Sequence, residues 1–123
     1  MDNEPIIIVG GEPNSVFLEI FFKSLRTNTY KSPLIIIISK KLLKSQMKEL
    51  GFDYKINDIS KQLKDFSKLN NKKINLVNVD YKFKNCFEKI TDKSNKYIEE
   101  TFRTALNFIK QNNLSKFING PVS

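Results

Sequence analysis

Hydrophobic residues in this chain fall into two kinds of run, short continuous blocks and longer stretches spaced by three and four, and the two kinds alternate. Pro5-Ile6-Ile7-Ile8-Val9 and Leu34 to Ile38 are continuous and β-branched, the pattern of strands buried on both faces. Between them Val16, Phe17, Ile20, Phe21 and Leu25 recur at helical spacing, with Asn14 or Ser15 as the cap, and predict a helix ending near Leu25. Ser39 caps a second helix with Leu42, Leu43, Gln46, Met47 and Leu50 on its face, closed by Gly51. Phe52 to Ile56 reads as a short strand. Ile59, Leu63 and Phe66 hint at a short helix before a turn at Asn70-Asn71, and Ile74 to Val79 alternates as a strand with one wet face should.

The longest helix is predicted from about Lys93 to Gln111, where Ile98, Phe102, Ala105, Leu106 and Ile109 form a stripe. Thr91 or Asp92 caps it, Asn112-Asn113 ends it, and a short apolar strand with a Gly-Pro loop follows. Strands alternating with helices predict one α/β domain, a mainly parallel sheet with flanking helices. No linker, repeat or low-complexity block divides the chain.

Composition narrows the functions available. At 123 residues with 40% hydrophobic content the chain reads as one globular domain. Its longest apolar runs fall far short of the roughly 20 residues of a membrane span. The acidic start Met1-Asp2-Asn3-Glu4 does not resemble a signal peptide, so the expected location is cytoplasmic. Cys86 is the single cysteine and reads as an inert thiol. The net charge of +8 invites a nucleic-acid reading, but only Arg26 and Arg103 of the 21 basic residues are arginine. No basic helix or aromatic-laced strand accompanies the charge, which makes an anionic small molecule the better use of that field.

Absences exclude much chemistry. Without histidine the chain builds no Ser-His-Asp triad, no His-based metal site and no imidazole acid or base. Neither the GxGxxG nor the GxxxxGK[ST] phosphate loop occurs. Two loops remain, because in open α/β sheets ligands bind beyond the carboxyl ends of the strands. Gly10-Gly11-Glu12-Pro13-Asn14-Ser15 leads from the first strand into the first helix, where backbone amides can hold an anion or where glycine simply permits the turn. Glu19 sits early on that helix, stabilised by the macrodipole. Asn119-Gly120-Pro121-Val122-Ser123 is the second loop, following a predicted core strand.

Taken together, the two loops resemble the N-terminal portion of the 4-hydroxythreonine-4-phosphate dehydrogenase family, and the likeness spans essentially the whole chain. That family typically carries Gly-(Asp/Glu)-Pro-Ala-Gly-Ile-Gly-Pro-Glu in its first loop, matched here by Gly11, Glu12, Pro13 and Glu19. Ser94 to Thr101 looks like the start of the helix that precedes its (Thr/Asn)-(Gly/Ala)-Pro-(Ile/Val) loop, matched by Asn119, Gly120, Pro121 and Val122. Ser15, Phe17 and Leu18 replace two glycines and a proline of the pattern, which stiffens the turn and fills it with side chains.

The resemblance implies an isocitrate/isopropylmalate dehydrogenase-like fold, of which this chain is the incomplete N-terminal part. It implies a homodimeric oxidoreductase of pyridoxine biosynthesis that oxidises 4-phosphooxy-threonine with NAD and a divalent metal. The family's Gly-His-Thr-Glu segment, three metal-binding histidines and NAD site lie outside these 123 residues. No residue here is therefore assigned a catalytic or metal-binding role, and the fragment is expected to be inactive alone. It is also expected to show an unpaired sheet edge and exposed apolar surface, with low stability or self-association. Two alternatives stay open: a dehydrogenase of a related phosphorylated sugar acid, and a non-catalytic basic module binding an anionic metabolite or RNA.

Overall fold

The computed structural model describes residues 4–10, 17–27, 32–59, 69, 71–81 and 92–119. Among them the chain runs β1 (Ile6–Val9), α1 (Phe17–Thr27), β2 (Leu34–Ile38), α2 (Lys40–Leu50), β3 (Ile56–Asp58), β4 (Ile74–Asn78), α3 (Asp92–Asn112) and β5 (Phe117–Asn119). The strands form one sheet in the order β3-β4-β2-β1-β5, and every pairing is parallel. The α/β fold with a parallel sheet and flanking helices is thus the one expected.

The steps from β1 to β2 and from β2 to β3 run in one direction across the sheet, whereas the step from β4 to β5 runs back past β1. Right-handed crossovers then put α1 and α2 on one face and α3 on the other. Accordingly α1 packs on α2, and α3 packs on β1 and β2. Covered on both sides, Ile7, Ile35, Ile36 and Ile37 are fully buried, which is why β1 and β2 are continuous rather than alternating.

Helix ends follow their predicted chemistry. Ser39 Oγ accepts the Leu42 N–H at 3.2 Å, and Gly51 at φ 78° lets the Phe52 N–H reach the Met47 carbonyl at 2.9 Å. Asn113 takes the same left-handed conformation, φ 55°, after α3, and the Leu114 N–H donates to Ile109.

Several expectations need correction. The strand expected at Phe52 to Ile56 lies later, at Ile56–Asp58, because Phe52 and Tyr54 are used in packing rather than pairing. Phe22 is fully buried with Phe52 and Tyr54 at 5.2 and 6.1 Å, and the Tyr54 hydroxyl donates to the Phe22 carbonyl at 2.9 Å. β4 has no wet face: Asn75 is buried, its Nδ2 donating to the Leu34 carbonyl and its Oδ1 accepting from Asn57. A buried amide with both ends bonded is tolerated inside a parallel sheet. On α1 the core side is Leu18, Phe21 and Phe22, while Ile20 is 59% exposed. On α3 the Ile98–Phe102–Ala105–Ile109 line packs inward, Tyr97 and Thr101 extend it, and Leu106 is exposed. The suggested helix through Leu63 and Phe66, and the caps Asn14, Ser15 and Thr91, lie outside the described residues.

β5 is an edge strand. The Glu4 carboxylate accepts the Ser115 N–H at 2.6 Å and its hydroxyl at 2.9 Å, holding the approach to β5 beside β1. Next to it Ile6, Ile8, Phe17, Ile20, Phe21 and Ile118 line an apolar groove of about 200 Å³, of which Ile20 and Ile118 are exposed and Ile8 and Phe21 are buried. Among the described residues no helix is long and apolar enough to cross a membrane.

Candidate functional site at the carboxyl edge of the sheet

In a parallel sheet all strands end on the same side, so a register pair fixes which loops depart together. β1 and β5 pair with Val9 opposite Asn119, although 110 positions separate the two in sequence. Residues 11–16 leave the first strand and residues 120–123 leave the second, so the two loops singled out in the sequence start side by side. Chain connections run in opposite directions from β1, toward β2 and, from β4, toward β5. That makes the β1/β5 end a topological switch point, where open α/β sheets place their ligands.

Gly10 shapes this end. Its N–H donates to the Ile37 carbonyl at 3.2 Å, and a Cβ there would stand 2.8 Å from Ile38 Cδ1 and 3.1 Å from Cγ1. Any larger residue would press on the Ile38 side chain, so glycine lets the chain leave β1 close to β2. Glu19 lies in the first turn of α1, at the surface, with Lys23 Nζ 3.4 Å from its carboxylate. It is a solvated i,i+4 pair beside a helix N-terminus. Asn119 is the last residue of β5. Gly11, Glu12, Pro13, Gly120 and Pro121 lie outside the described residues.

The neighbouring β2/β4 end is built differently. There α2 starts directly after β2, and its N-terminal donors are met by the chain's own side chains. The Ser39 N–H donates to the Tyr97 hydroxyl at 2.8 Å, the Lys40 N–H to Asn78 Oδ1 at 2.8 Å, and the Leu42 N–H to Ser39 Oγ. Asn78 Nδ2 in turn donates to Asp80 at 3.0 Å, and Lys40 Nζ lies 3.7 Å from Asp58. Burial pushes the Tyr97 phenol well above the ordinary tyrosine range; the Ser39 N–H opposes this shift and Tyr81, 4.6 Å away between ring centroids, adds to it. The hydroxyl therefore stays neutral and serves as a hydrogen-bonding post, not a base.

Tyr97, Asn78 and Asp80 were not singled out as candidates by sequence reasoning. Their signal was positional: Asn78 and Asp80 sit where a strand exits, and Tyr97 with Thr101 and Ala105 makes a second inward line beside the aliphatic stripe of α3.

A divalent metal fits poorly with the residues present. The chain has no histidine, and among the described residues no three of Cys, Asp and Glu gather as a ligand set.

The sequence matches no protein-family model and no curated protein. Solved structures do match. A 4-hydroxythreonine-4-phosphate dehydrogenase from Burkholderia phymatum aligns with 98% of this chain at TM-score 0.77 and 17% identity. The enzyme of the same name from Klebsiella pneumoniae aligns with 98% at TM-score 0.78 and 12% identity. This chain spans only 37% of the length of either. At such identity the likeness is one of backbone architecture: the chain has the α/β fold of the matching part of 4-hydroxythreonine-4-phosphate dehydrogenase structures.

Proposed function

We propose that residues 1–123 form the substrate-framing part of an NAD-dependent oxidoreductase of the 4-hydroxythreonine-4-phosphate dehydrogenase type, working on 4-phosphooxy-threonine in pyridoxine biosynthesis. The observation that carries the reading is the Val9–Asn119 register, which starts both family-like loops at one switch point. A fold shared with two such dehydrogenases supports it.

In this reading the complete enzyme is a cytoplasmic homodimer. NAD accepts hydride and a divalent metal polarises the substrate oxygen. The chain has no histidine and, among the described residues, no carboxylate or thiol cluster for a metal, so in this reading the metal and NAD sites belong to other polypeptide and residues 1–123 alone do not turn over substrate. What this chain contributes is binding and orientation. α1 is the helix that follows β1, and the positive end of its dipole favours a phosphate. Gly10 lets the β1 exit lie against β2. The sealed N-terminus of α2 leaves that role to α1.

Calorimetric titration of the chain with 4-phosphooxy-threonine tests the reading, with unphosphorylated 4-hydroxythreonine as the comparison. Saturable binding that depends on the phosphate is expected. Equal binding of both compounds, or none, contradicts it, and so does NADH formation by this chain alone when NAD and a divalent metal are supplied.

A further inference from the structure

At the opposite edge of the sheet, α2 and the segment leading into β3 enclose a groove of about 450 Å³, lined by Lys40, Lys44, Met47, Lys48, Phe52, Asp53, Tyr54 and Ile56. Its size is that of a small-molecule site, for which roughly 300–1,000 Å³ is usual. Lys40, Lys44 and Lys48 recur every four residues along α2, so their Cβ atoms stand about 6 Å apart along one face of the helix and all three line the groove. Among the described residues Asp53 is the one acid on the lining. Lys40 is held loosely by Asp58 at 3.7 Å, and among the described residues neither Lys44 nor Lys48 has an ion-pair partner.

The floor is of another character. Met47 and Phe52 are buried core members, and Ile56 and Tyr54 are half-buried beside them. The Tyr54 N–H donates to Met47 Sδ at 3.2 Å, and the guanidinium of Arg26, on α1, lies 4.4 Å from the Phe52 ring centroid, so the floor side chains are held by neighbours. An apolar floor under a row of cations selects a ligand with both features. A bare inorganic anion would leave the floor wet, and a neutral apolar body would leave the lysines without a counter-charge.

We propose that this groove binds a small amphipathic anion, a compound with one phosphate or carboxylate group on a flat apolar body. The anionic group lies against Lys44 and Lys48, and the body rests on Ile56, Tyr54 and the edge of Phe52. The site stands apart from the β1/β5 end, so it does not depend on the dehydrogenase reading.

The test uses 1-naphthyl phosphate, with inorganic phosphate and anionic phospholipid vesicles as the other arms, followed by amide shifts in the whole chain. Expected are shifts centred on Lys44, Lys48, Tyr54 and Ile56, and binding at least about tenfold tighter than inorganic phosphate. Lys44→Glu with Lys48→Glu, both exposed, weakens binding by about tenfold or more, whereas Asp53→Asn tightens it. Equal affinity for inorganic phosphate, shifts centred elsewhere, binding of vesicles only, or indifference to the lysine reversal overturns the proposal.

Discussion

The two halves of the sheet's carboxyl edge use the same backbone differently. At the β2/β4 half, the first donors of α2 meet Tyr97, Asn78 and Ser39 at 2.8 to 3.2 Å, and nothing is left over for a ligand from those three groups. At the β1/β5 half, β1 ends at Val9 and is followed by Gly10, which brings no side chain, and the register sets Asn119, the end of β5, opposite Val9. A helix N-terminus is a potential anion site wherever it occurs. Whether it acts as one depends on which side chains reach its amides first, and at the β2/β4 half the first amides of α2 are already taken.

Removing the post of the closed half should have the largest effect. Tyr97→Ala deletes a buried aromatic and strands the Ser39 N–H, with an expected loss of about 3–5 kcal/mol in denaturant unfolding. The milder Tyr97→Phe isolates the hydroxyl and should change the pH dependence as well. Because the folded phenol is held above its usual value of 10.0, the folded state keeps a proton that the unfolded state gives up. The Tyr97 contribution to stability is therefore flat below about pH 10 and falls as pH rises beyond it, and Tyr97→Phe should remove that part of the alkaline slope. A slope unchanged by the substitution would mean the hydroxyl is not held as described.

At the open half, Gly10→Ala forces a methyl group against the buried Ile38 and should cost about 1–3 kcal/mol. It should also shift the β1 exit and weaken binding of the phosphorylated substrate, an effect Tyr97→Phe should not share. Asn78→Ala removes one acceptor from the α2 N-terminus, with about 1–2 kcal/mol expected. Glu19→Gln should be smallest, within about 0.5 kcal/mol, because its pair with Lys23 is solvated.

Much of the architecture was legible in the chain because burial on both faces writes itself as β-branched runs. Leu34–Ile38 is read at its observed bounds and the first strand one residue too long, from Pro5 instead of Ile6, and Ser39 and Gly51 announce both ends of α2. Asn75 misled, since a polar residue in strand register reads as a wet face, and only the fold reveals that Leu34 and Asn57 satisfy it. Ile20 and Leu106 misled in the other direction, as apolar residues at helical spacing that lie outside the packed stripe. The two loops were legible as candidates one at a time. Their adjacency was not, because it depends on α3 carrying the chain back across β1 rather than onward.

Mapping amide shifts on adding 4-phosphooxy-threonine tests the contrast between the two halves most directly. The account predicts perturbation centred on Gly10 and Asn119 and on the first turn of α1, with Ser39, Lys40 and Leu42 unmoved. Shifts centred on Ser39, Lys40 and Leu42, with Gly10 and Asn119 silent, would contradict it.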